Sequence, residues 1–277
     1  MLALAVTLLV TVITLLMYPK WEIVILSASI VYGALSAVIA ARRLYFLSAS
    51  ASHIALLAVT IAIPLSKLAL NEYAWAVIVG LAMIYAVGYC IHRGIDPDVA
   101  TAVFVSLSAS LSVIAMYIVL TRYSISYDLW AIVLGDPLLV SWRCAIYTVF
   151  VAIITLSAVI LTYREQICIG LEMDCAYLSG ISVEFYDFVL YTLLGVATVA
   201  MIKVVGFVLQ HVLILLPSAI AMCIAKDSKD TLYISVLASI LLGSLGLQFA
   251  VLTDQAPSGV IGLLMFIAFV MARCRHG

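Results

Sequence analysis

The sequence predicts an all-α, polytopic membrane helix bundle of about eight to ten transmembrane helices, built as one domain over residues 1–277. Three observations carry that prediction. Hydrophobic residues make up 67% of the chain and charged residues only 10%. The mean hydropathy of +1.30 exceeds what a water-soluble domain tolerates. The apolar residues also fall in long runs broken at charges and turn formers, and at about 1.5 Å per residue roughly 20 of them cross a hydrocarbon core of about 30 Å.

The first run, 2–18, has no charge before Lys20, no positive n-region and no small-residue cleavage site, so it reads as a retained span. The second, 22–41, stops at the Arg42-Arg43 pair, and the third, 45–66, stops at Lys67. The fourth covers 72–91 and stops before Arg93; the fifth, 98–120, opens at the Asp96-Pro97-Asp98 turn and stops before Arg122. The sixth, 142–163, closes at Arg164. Only Lys203 separates the seventh, 185–202, from the eighth, 204–224, and it marks either an outer turn or a kink between half-helices. The ninth, 231–252, follows Lys226 and Lys229, and the tenth, 257–273, runs from Pro257 to Arg273. With both termini cytoplasmic, eight of the 13 basic residues fall inside, in accord with the positive-inside rule. The longest non-spanning stretches are then 121–141 outside and 164–184 inside.

Composition and motifs exclude several classes. A net charge of -1 gives no basic face for nucleic acid. Six cysteines without a CxxC pair argue against a disulfide framework or a zinc knuckle. The chain has no GxxxxGK[ST] and no Gly-Lys pair, so it binds no ATP through a P-loop of its own; HExxH and GxSxG are missing too. Asp and Glu fall at predicted loop edges rather than mid-span, which argues against a proton relay.

Polar groups at depth need a partner or a wet cavity. His53 stands about 12 Å of helix from Tyr45, and His211 about 12 Å from Lys203, so both are placed near the midplane. Neutral imidazole is a common transition-metal ligand, and two at one depth can face a shared cavity; the commoner role of a lone intramembrane histidine is to bond a neighbouring helix. Gln210, about 100° around the helix from His211, is expected to bond an adjacent helix. Pro217 is expected to bend or end the eighth span, a weak pointer to a transport path. Ser48, Ser50 and Ser52 read as close-packing residues.

Five segments in order resemble the membrane permease subunits of zinc, manganese and iron ABC importers. "AMIKVVGFVLQHVLILLPSAIAMCIA" is similar to that family's signature through Val204, Val205, Gly206, Leu209, Leu213, Leu216, Pro217, Ala219 and Ala221. "WAIVLGDPLLVS" matches through Leu134, Gly135, Asp136, Val140 and Ser141, and "GLEMDCAYLSGIS" through Glu172, Asp174, Ala176 and Gly180. "DQAPSGVIGLLMF" matches through Pro257, Ser258 and Gly259, and "ARRLYFLSASASHIALLAV" through Arg42, Arg43, Ser52 and His53.

The resemblance implies a type II importer-like permease in the plasma or inner membrane, working as a homodimer with two cytoplasmic ATPase subunits and an external solute-binding protein. ATP would be bound by the partner, and the cargo would be a divalent metal ion, zinc or manganese foremost. It also implies that residues 172–180, inside a cytoplasmic loop at about 164–184, form the helix that couples to the ATPase, a role in which acids at the helix start suit the helix dipole. Two departures stand out. The family's Asp one turn before the histidine is Ala49 here, and its Gly five residues after is Ala58. Loss of the carboxylate removes the hard oxygen ligand that suits manganese, and His211 is the candidate replacement beside His53, with Gln210, Gly206 and Pro217 shaping the path. Two alternatives are import of a metal chelate or other small solute, and a membrane scaffold that lost its site.

Overall fold

The computed structural model describes residues 2–68, 70–123 and 140–276. Eleven helices follow one another in these residues: α1 (Leu2–Met17), α2 (Pro19–Arg42), α3 (Tyr45–Leu65), α4 (Glu72–His92), α5 (Pro97–Arg122), α6 (Trp142–Leu171), α7 (Met173–Leu178), α8 (Val183–Val205), α9 (Phe207–Ile224), α10 (Ser228–Thr253) and α11 (Pro257–His276). Among the described residues, nine of them are long and apolar enough to cross a membrane. The first predicted span is the exception, since the 16 residues of α1 reach only about 24 Å. Local chemistry sets the helix starts. Asn71 Oδ1 accepts from the Ala74 N–H at 2.8 Å, Asp227 Oδ1 from Asp230 at 2.8 Å, and Asp96 caps α5 ahead of Pro97.

One helix sits at the centre of several others. α2 packs against α1, α6, α8, α9 and α10, and Val24, Ile25, Tyr32, Leu35 and Ile39 are almost wholly inaccessible. A helix apolar on every side is what such a central position requires. Hydrogen bonds along α2 fix the directions of its neighbours. The Tyr32 hydroxyl meets Gln210 and the Ala197 carbonyl, Ser36 meets Ser218, and Arg42 meets Asp187. Positions 32 and 36 on α2 thus advance with 210 and 218 on α9, while 32 and 42 run against 197 and 187 on α8. The helices α8 and α9 are therefore antiparallel, and the junction after Lys203 is a turn rather than a kink.

That turn rests on a single residue. Gly206 has φ 82° and ψ 161°, a region open to glycine and almost closed to residues with a Cβ. It ends α8 and starts α9 with nothing between. Gly206→Ala is expected to cost about 1–3 kcal/mol and to lower the melting temperature of the purified chain by roughly 3–8 °C. An unchanged melting curve would show that the turn relaxes freely.

The 164–184 stretch is not the loop that hydropathy implies. α6 continues to Leu171 because Gln166 and Ile169 are buried against other helices, and the Gly170 Cα lies against the Ala41 backbone, where a Cβ would have no room. The polar residues of this stretch extend a helix beyond the apolar run.

Candidate functional site

The two histidines named from the sequence come together from different helices. His53 lies eight residues into α3 and His211 four residues into α9, and their ring centroids are 6.1 Å apart at 79°. A third ring completes the group. Phe207, one turn before His211, meets His53 edge-on at 4.9 Å and His211 at 5.9 Å. All three are half-buried, and His211 Nδ1 is a buried atom without a hydrogen-bond partner. A metal about 2.1 Å from one nitrogen of each ring holds two imidazole centroids about 5.3 Å apart at a tetrahedral angle and at most about 6.5 Å apart when the angle opens to linear. The observed separation is inside that reach. Among the described residues no group of three or more His, Cys, Asp or Glu is placed to hold a metal ion.

The neighbouring polar residues divide between packing and the site. Gln210 is fully buried, and its Oε1 accepts from the Tyr32 hydroxyl at 2.9 Å, so it ties α9 to α2 as its angular offset from His211 predicts. Pro217 is buried inside α9 and the helix runs through it. The next amide, Ser218 N–H, donates to Ser36 Oγ at 3.0 Å, so a side chain of α2 meets the backbone there. Ser48 and Ser50 donate to carbonyls of their own helix, while Ser52 Oγ is buried and unpartnered beside His53.

At the far end of α2 lies a network the sequence does not reveal. Arg42, counted in the sequence among loop charges, is a buried helix residue. Its Nη1 donates to Gln166 Oε1 at 2.7 Å and its Nη2 pairs with Asp187; the side chains of Arg42 and Asp187 are 6% and 8% exposed. Gln166 Nε2 then donates to the Tyr186 carbonyl at 2.8 Å. The ends of α2, α6 and α8 are thereby joined just behind α7. That short helix carries Asp174 in its first turn, with Glu172 extended before it and Gly180 at φ 80° after it. Ala176 is buried with Ile169 and Val183, whereas Leu171, Met173, Tyr177 and Leu178 are exposed. Together these four side chains form an exposed apolar patch at the end of the bundle.

At the opposite end, Lys203 Nζ pairs with Glu72 Oε1 at 2.5 Å and stands 4.5 Å from the Tyr73 ring. The pair links the ends of α8 and α4. Leu134, Gly135 and Asp136 lie outside the described residues, while Ser141 caps α6.

Comparison with known proteins agrees with this architecture. The chain is 25% identical to the manganese transport system membrane protein MntC of Halalkalibacterium halodurans over 88% of its own length and 82% of that protein. It is 24% identical to the high-affinity zinc uptake system membrane protein ZnuB of Haemophilus influenzae over 89% of its length and 94% of that protein. Its fold superposes on PsaBC from Streptococcus pneumoniae, solved in complex with a Fab, with a TM-score of 0.80 at 23% identity, covering 95% of this chain and 94% of the other. Residues 9–276 match the ABC 3 transport family, and the chain is a multi-pass membrane protein that belongs to that family.

Proposed function

We propose that this chain is the permease subunit of an ABC importer that moves a divalent transition metal into the cell, with zinc ahead of manganese. The observation that carries the reading is the His53–His211 pair, two imidazoles from separate helices at 6.1 Å. Nitrogen donors without a carboxylate suit zinc better than manganese, and position 49 is alanine. The names of the relatives, one a manganese and one a zinc transport protein, support the cargo class.

The two ends of the bundle support the rest of the reading. In this reading the Arg42 end is cytoplasmic, the C-terminus lies there, and α7 offers Met173, Tyr177 and Leu178 to a separate ATPase, with Glu172, Asp174, Ala176 and Gly180 shaping the helix. The Lys203 end faces out and receives metal from a solute-binding protein. A second copy of the chain faces the half-exposed His53, Phe207 and His211 rings and closes the path. Import of a metal chelate is the second reading, favoured by the lack of a third ligand among the described residues. Uptake by proteoliposomes holding the full complex, offered a panel of free and chelated metals, tests both. ATP-dependent accumulation of free zinc is the expected result; uptake of chelates alone supports the second reading, and no uptake of either dismisses import.

A further inference from the structure

A second polar group lies outside the histidine site, between α1, α2 and α10. Glu22, which the sequence places at a loop edge, is the fourth residue of α2 and wholly inaccessible. Its Oε1 is bonded by the Ser244 hydroxyl of α10, and its Oε2 is buried with no partner. One turn along α10, Gln248 donates to Thr14 of α1. The helices approach closely here: a Cβ on Gly243 would stand 2.8 Å from Ser29 Oγ, and Ser29 donates to the Ser239 carbonyl at 3.1 Å. Bulk water has no access to screen a charge on Glu22.

A buried carboxylate needs a counter-charge or a proton. The ion pairs among the described residues are Arg42–Asp187 and Lys203–Glu72, and neither includes Glu22. The helices around it offer few titratable groups. α1 has none, and α10 has none between Tyr233 and Asp254. At the same end α6 brings Arg143, Cys144 and Tyr147, α9 brings His211, and α3 ends before Lys67. Lys20, two residues before Glu22, points about 200° around α2.

We propose that Glu22 is a proton-binding site of the bundle, occupied when α1 and α2 are packed on α10. In the ionised acid Ser244 donates to Oε1 and Oε2 is left charged and bare. With a proton on Oε1 the acid donates to Ser244 Oγ, whose own hydrogen turns to a carbonyl one turn back, as Ser108 and Thr198 do at 2.6 and 2.7 Å. The proton comes from water at the Lys203 end, and nothing else is consumed. Because the packed seam keeps a proton that the unfolded chain releases, stability falls as pH rises above the ordinary carboxyl range.

The inference is independent of the cargo, and its test uses the purified full chain without transport. Wild type, Glu22→Gln and Ser244→Ala are melted in potassium chloride from about pH 6 to about pH 8, and infrared spectra are taken at the same points. Wild type is expected to lose several degrees of melting temperature relative to Glu22→Gln as pH rises. A protonated-carboxyl band is expected in wild type, shifted in Ser244→Ala and missing in Glu22→Gln. Identical pH profiles for wild type and Glu22→Gln overturn the proposal. So does recovery of wild type by sodium at high pH, which assigns the charge to a metal cation. If Glu22→Gln fails to fold, the wild-type band decides alone: its absence at about pH 6 rejects a neutral acid.

Discussion

ATP-dependent metal uptake by proteoliposomes is expected to fall at least about tenfold in each of His53→Ala and His211→Ala, and to background in the double variant. The argument is geometric. The rings are close enough to share one ion, and no other His, Cys, Asp or Glu among the described residues joins them in a cluster, so losing one leaves a single weak donor. Truncation also empties the ring cluster, because His53 packs edge-on against Phe207. Phe207→Leu, which disturbs packing and leaves both imidazoles, separates the two effects and should reduce uptake far less. Substituting Asn for each histidine keeps some bulk and a polar tip yet gives up the imidazole donor, so it should behave like alanine. Uptake that survives the double variant removes the site from the mechanism.

Arg42→Ala is expected to disconnect ATP hydrolysis from uptake. Breaking a buried ion pair costs roughly 3–5 kcal/mol because the remaining partner stays charged and unsatisfied, and here the orphan would be Asp187. The pair does more than stabilise. With Gln166 it joins α2 to α6 and α8 behind the exposed face of α7, and α2 in turn holds α9 through Tyr32–Gln210 and Ser36–Ser218. Arg42 thus stands in a line of contacts that runs from the α6 and α8 ends packed on Ala176 of α7 to the helix that carries His211. Uptake per ATP hydrolysed should drop more than tenfold, a coupling loss of at least about 1.4 kcal/mol, while hydrolysis persists. Arg42→Asp with Asp187→Arg restores the pair in reverse and should recover part of the ratio. A variant in which uptake and hydrolysis fall together would mean that Arg42 serves the fold alone.

Much of the fold was legible because its causes are local. Charges and turn formers ended the apolar runs close to where the helices end, and caps such as Asn71 and Asp96 stand in the sequence beside the helices they start. α6 broke the pattern, since its polar extension is held by Arg42 and by the Ala41 backbone, contacts that no window of sequence contains. The site was half legible. Depth along two helices singled out His53 and His211, while Phe207, one turn from His211, is one aromatic among many apolar residues and only its contact with His53 marks it.

By itself the sequence determined that the chain crosses a membrane many times, where the apolar core of each span lies, and where imidazoles lie along them. Those properties follow from transfer free energy and helical rise, which act residue by residue. Only the tertiary structure decided that Lys203 precedes a turn, that Arg42 and Glu22 are interior groups, and that two histidines 158 positions apart share one place. Every span is apolar along its length, so hydropathy ranks no helix face above another. Facing is chosen by small residues and hydrogen bonds that match across helices, such as Ser36 with Ser218 and Gly243 with Ser29, and these exist only once the helices have met.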